Sequence, residues 1–205
     1  MKKTKVIHLG GSKFIASVRK NIIIVFFTFI FSLAFLASCL IFRTGNMTDF
    51  SKWSYDIFIT SKLNGSFFKI FSLSFLISFI FLFVVELFGT SLTGCAFIPF
   101  IIIVRGLSYG FALCNLYSLG KINALIINII ILLPSAIISI VCLFSASAKS
   151  INLSYFLGKL SIGDGQALNQ VDIKRYLLNF IIYVFVTVLS ALLEAFMATA
   201  FRNFF

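Results

Sequence analysis

Five runs of apolar residues, each roughly 20 residues long and so able to cross a lipid hydrocarbon core as a helix, govern what this chain can become. They are read over residues 21–42, 67–88, 90–119, 122–148 and 175–200. Lipid offers no partner to backbone N–H and C=O groups, so each run must satisfy its own hydrogen bonds by coiling into a helix. Composition agrees: at 60% hydrophobic and 11% charged residues, with 28 Phe and a mean hydropathy of +1.11, the chain is far more apolar than a water-soluble domain of its length. The expected fold is all-α, a polytopic membrane bundle of about five helices, the third kinked or broken between Pro99 and Gly110. A basic tail over residues 1–20 precedes a single transmembrane domain over 21–205.

Basic residues orient the set. Lys2, Lys3, Lys5, Lys13, Arg19 and Lys20 precede the first run, and Lys149, Lys159, Lys174 and Arg175 separate the fourth from the fifth. Arg43, Lys52, Lys62 and Lys121 fall on the other side, partly offset by Asp49 and Asp56. Positive charge stays cytoplasmic, so the amino end is expected inside and the carboxyl end outside, with the short Gly89 to Gly94 link as the step on which the parity turns. The first run continues past any small-residue cleavage site and reads as an anchor rather than a removable peptide. Leu36-Ala37-Ser38-Cys39 resembles a lipoprotein cleavage box, but Leu40, Ile41 and Phe42 carry the apolar run straight through it. The net charge of +11 is scattered between spans, where it meets anionic lipid headgroups; no groove-reading module accompanies it, and nucleic acid is not an expected partner.

One charge interrupts the third run. Arg105 is a guanidinium at bilayer depth, which costs roughly 2.5–3.5 kcal/mol or more unless something polar meets it. Glu86 and Glu194 are the two carboxylates within spans. Thr187, Ala191, Glu194, Ala195 and Ala198 recur at spacings of three and four, which puts Glu194 on a small-residue face of the last helix. Gly106 and Gly110, with Cys114 one turn further, give the third run a smooth face beside Arg105. The expectation is an intramembrane Arg105–Glu194 pair joining those two helices through their small residues, with Glu86 as the alternative acid, hydrated near the end of its own span. Gly89, Gly94, Pro99 and Pro134 mark backbone that departs from regular helix; Pro134 would lie near the middle of the fourth span.

The remaining polar residues exclude more than they suggest. Cys39, Cys95, Cys114 and Cys142 lie inside apolar runs without paired spacing and read as small hydrophobes. His8 is the only histidine, and no zinc-protease, nucleophile-elbow or phosphate-loop string occurs, so neither a metal, a cofactor nor a catalytic residue is expected. Gly163-Asp164-Gly165 echoes a fragment of an intramembrane aspartyl protease signature but sits in a polar loop, where a turn is the simpler reading. Just before it, residues 151–160 mix apolar and basic side chains in the manner of a short surface-lying helix, and Asn169 and Asp172 suit the start of the last helix.

The run LFGTSLTGCAFIPFIIIVRGLSYGFALCNL (Leu87 to Leu116), ILLPSA (Ile131 to Ala136) and RYLLNFIIYVFVTVLSALLEAF (Arg175 to Phe196) together resemble the stage II sporulation protein M family. Gly94, Pro99, Arg105, Gly106, Gly110, Pro134 and Glu194 carry the likeness. It implies a roughly five-span bacterial membrane protein without enzymatic activity. In sporulating cells such proteins anchor the peptidoglycan-remodelling stage II sporulation proteins D and P; other members accompany maturation and secretion of circular bacteriocins. Two departures weigh against the sporulation role: Ser135 and Ala136 follow the proline, and the outer loop from Arg43 to Ser66 is short. The expected function is therefore a non-catalytic scaffold of the cell membrane that holds membrane or envelope partners, further copies of itself among them. A peptide-maturation, secretion or immunity component, or a small-solute transporter subunit, is the alternative.

Overall fold

The computed structural model describes residues 9–44, 49–60, 65–118, 128–161 and 173–201, and among these every regular element is helical. Six α-helices follow in order: α1 (Leu9–Arg43), α2 (Asp49–Tyr55), α3 (Phe67–Gly89), α4 (Gly94–Ser118), α5 (Leu133–Ser161) and α6 (Ile173–Ala200). A π-helical turn, Asp56–Thr60, continues α2, and another, Asn128–Leu132, leads into α5. Among the described residues, five stretches are long and apolar enough to cross a membrane: Ile22–Arg43, Phe67–Gly89, Gly94–Ser118, Asn128–Lys159 and Lys174–Ala200. The protein is an all-α, polytopic membrane bundle. Phe29, Ile181, Phe185 and Phe196, each more than 60% exposed, face outward from the bundle, where water would penalise them and hydrocarbon would not.

The helices are arranged around a rhombus. α3 and α5 each pack on both α4 and α6, while α4 and α6 stand at opposite corners without packing along each other; α1 lies outside α4 and makes the most extensive contact of the bundle with it. That contact is set by small residues. A Cβ on Gly106 would come within 2.9 Å of the Phe31 carbonyl oxygen and 3.0 Å of Ala34 Cβ, and one on Gly110 would fall on Ser38 Oγ. Ala34 and Ser38, four residues apart on α1, thus mate with Gly106 and Gly110, four apart on α4. The smooth face of α4 therefore meets α1, not α6 as its glycines suggested. Ala195 and Ala198 of α6 turn instead toward a cluster built from Phe58, Ile70, Ala112 and Leu132, with buried Ala191 beside the polar layer described below.

Two further expectations change. α4 runs unbroken through Pro99, Arg105, Gly106 and Gly110, with Pro99 inside the helix in its second turn, where the i→i−4 bond to Cys95 is lost without ending the helix. The chain turns instead at Gly89 to Gly94, where Gly94 N donates to the Ser91 carbonyl (3.2 Å). Pro134 lies not in mid-span but near the start of the fourth span, at the second residue of α5 and directly after the π turn. α5 then continues to Ser161, so residues 151–160 extend that helix rather than lying as a separate one. His8, Lys62, Lys121, Gly163-Asp164-Gly165, Asn169 and Asp172 lie outside the described residues.

The segment expected as an outer loop also has structure. Ser51 and Ser54 of α2 are buried, and Phe58 and Ile59 of the π turn enter the bundle with 3% and 1% exposure. Asn115 of α4 holds this segment down: its Nδ2 donates to Ser51 Oγ (2.8 Å) and to its own helix at Phe111 O (2.9 Å). Phe50 adds an edge-on contact with Phe111, ring centroids 5.9 Å apart.

Candidate functional site

Two apolar clusters fill the bundle, one around Phe58, Ile70 and Leu132, the other around Phe27, Ile102 and Phe144. A polar layer separates them. Arg105 is its centre, 2% exposed, with Glu194 at 6% and Ser135, Ser139 and Ser190 also buried. All five line one cavity of about 10 Å³, the room one water needs. Arg105 Nη2 donates to Ser139 Oγ (3.4 Å), and Ser139 shares a hydrogen bond with Ser78 of α3 (3.2 Å). Ser190 of α6 donates to the Ser135 carbonyl oxygen of α5 (2.9 Å), so hydroxyls stitch three helices at the level of the charge. Glu194 draws the guanidinium electrostatically across the cavity. The two charges expected to pair thus share one chamber from opposite corners of the rhombus, with α3 and α5 between their helices.

Aromatic rings supply what hydroxyls do not. The guanidinium carbon lies 4.8 Å from the ring centroids of Phe81 and Tyr109 and 5.3 Å from that of Phe58. Facing a desolvated cation, each ring quadrupole contributes roughly 1–2 kcal/mol. Arg105 Nη1 has no hydrogen-bond partner among the described residues, so this electrostatic cage bears directly on holding the charge in place. Phe58 and Tyr109 also form a partition, because both line a second, almost wholly apolar groove of about 180 Å³ on their far side, between α1, α4 and α5.

Glu86 lies elsewhere, at the end of α3, and it is not hydrated as its position suggested: it is 7% exposed and its Oε2 has no hydrogen-bond partner among the described residues. The reason is the length of α5, which carries Lys149 and Ser150 over this end of the bundle. Lys149 attracts the carboxylate, while Tyr176 of α6 donates to the Glu86 main-chain oxygen (3.1 Å) and shares a hydrogen bond with Ser150 (3.0 Å). Gly89 is required there, since a Cβ would fall on the Tyr176 hydroxyl. Gly94 is equally confined, by the Phe88 carbonyl oxygen and by Ser154 Oγ, which donates to Ser91 O (2.7 Å).

Sequence reasoning missed Phe58, Phe81, Tyr109 and the serines. Ile57, Phe58 and Ile59 in a supposed loop were the available signal, since three consecutive apolar residues in water are unusual. The serine hydroxyls gave none, because nothing in their spacing distinguishes a lipid-facing hydroxyl from one aimed at Arg105. No group of three or more His, Cys, Asp or Glu residues that could hold a metal ion occurs among the described residues. Comparison with protein-family models, curated proteins and solved structures finds no match to this chain.

Proposed function

We propose that this chain is a non-catalytic scaffold of a bacterial cell membrane, with its amino end cytoplasmic, that holds membrane or envelope partner proteins through its spans. The resemblance to the stage II sporulation protein M family points the same way and makes a peptidoglycan-remodelling complex the partner class. One observation carries the reading: the buried Arg105 and Glu194 face a chamber of about 10 Å³ walled by Phe58, Tyr109 and serine side chains. A chamber of that size fits a water and not a solute, so the polar layer is suited to fixing one arrangement of helices, the best-attested use of buried charge. With the interior committed to register, the outward faces of α1 and α6 are left for lipid and for other helices.

The test is crosslinking in native membranes followed by mass spectrometry, on the natural protein and on an Arg105→Met/Glu194→Gln double variant. A scaffold yields the same single-pass or envelope partner from both. Solute flux that is abolished by Arg105→Met alone, in a protein that still folds, would establish the transporter reading instead.

A further inference from the structure

We propose that Cys39 and Cys114 form a redox pair, a reversible disulfide that fastens α1 to α4 beside the membrane surface when a disulfide-bearing oxidant reaches them. Their sulfurs are 3.0 Å apart across the interface of two helices, and both cysteines are free and partly exposed. A disulfide bond is about 2.05 Å long, so about 1 Å of closure between the sulfurs makes the bond.

The contact follows from the helix seam. Cys39 adjoins Ser38, the residue on which a Gly110 Cβ would fall, and Cys114 lies one turn beyond Gly110. Backbones held that close by glycine bring the next pair of side chains together, so the sulfur contact is built into the α1–α4 interface. Depth also favours access. Cys39 precedes Arg43 by four residues, about 6 Å along the helix axis, and Arg43 ends the span at the headgroup boundary. The other two cysteines are occupied elsewhere: Cys95 Sγ donates to Ile151 O (3.7 Å) and Cys142 Sγ to Tyr183 O (3.6 Å).

The chemistry is thiol–disulfide exchange. One of the two sulfurs, as thiolate, attacks a sulfur of the oxidant; the oxidant's S–S bond breaks and one half leaves as a thiol. The second cysteine gives up its proton and attacks the mixed disulfide, the Cys39–Cys114 bond forms, and the other half leaves. Two electrons and two protons pass from the pair to the oxidant, which ends as two thiols. A dithiol reductant runs the sequence backwards.

The full chain in micelles or native membranes is treated with 4,4′-dipyridyl disulfide, and intact mass and non-reduced peptides are measured. The expected product has lost two hydrogens, carries no pyridylthio adduct on Cys39 or Cys114, and yields a peptide linking the two. A Cys95→Ser/Cys142→Ser variant, which leaves the pair untouched, gives the same linked peptide, and dithiothreitol removes it. In Cys39→Ser the link is lost and Cys114 is left as a thiol or a stable adduct. The proposal is overturned if the natural protein retains both residues as thiols or as separate adducts, or if the linked peptide joins other cysteines or two chains.

Discussion

Replacing Gly110 with alanine tests the α1–α4 seam most sharply. In a helix interior the exchange by itself favours alanine by about 0.5–1 kcal/mol, because glycine loses more backbone freedom on folding. At Gly110 the new methyl would land on Ser38 Oγ, which can rotate away, but also 2.9 Å from the Phe35 carbonyl oxygen, which can move only if α1 moves. Overpacking of this kind costs roughly 1–3 kcal/mol, so Gly110→Ala should be destabilising by about 1–2 kcal/mol after the propensity gain is deducted. Gly158, likewise in helical backbone but in α5, is the matched control: no described atom lies within 4 Å of where its Cβ would sit, so Gly158→Ala should stabilise by about 0.5–1 kcal/mol. The assay is unfolding in mixed micelles titrated with sodium dodecyl sulfate, followed by the fluorescence of Trp53. That single tryptophan stacks on Phe50, ring centroids 5.9 Å apart, and Phe50 rests on Phe111 of α4, so its signal reports the docking of α2. Gly110→Ala should unfold at a lower detergent fraction than the natural protein, and Gly158→Ala at a higher one. Should both variants shift upward together, the glycine seam between α1 and α4 is wrong.

Three other outcomes are expected of the same assay. Glu194→Gln leaves Arg105 as a buried charge without its counter-charge and should cost about 3–5 kcal/mol, most of it regained in Arg105→Met/Glu194→Gln; a double variant no more stable than the single one would sever the electrostatic link between them. Phe58→Ala removes one wall of the arginine chamber and opens it to the apolar groove behind, with an expected loss of about 3–5 kcal/mol and a Trp53 signal that changes before the helices unfold; an unaltered transition would place Phe58 outside the bundle. Tyr176→Phe takes the donor from the Glu86 carbonyl oxygen and should cost about 1 kcal/mol; an unaltered transition would refute the buried role of Tyr176.

Much of the fold was legible because lipid imposes a length rule that the chain obeys run by run: α3 coincides with its expected span almost to the residue. The presence of Arg105 and Glu194 inside spans was also plain, since charge is scarce there. Which helices would meet was not. Gly106 and Gly110 advertise a smooth face without saying what lies against it, and Ala34 and Ser38, the residues that do, look unremarkable among the phenylalanines of α1. Helix ends misled for a related reason. Lys149 resembles a boundary residue, yet α5 carries it on to a position near Glu86, with its Nζ 4.9 Å from the Tyr183 ring centroid. The segment Asp49 to Thr60 was hardest to read, because a dozen residues are too short for any spanning rule and their burial depends on a cavity that other helices create.

That short segment has a double allegiance. Asp49, Lys52 and Trp53 on one side of it are exposed, while Phe58 near its end rests against the guanidinium. A grip on the surface is therefore mechanically continuous with the deepest cation in the protein, and pulling the tip free would uncork it.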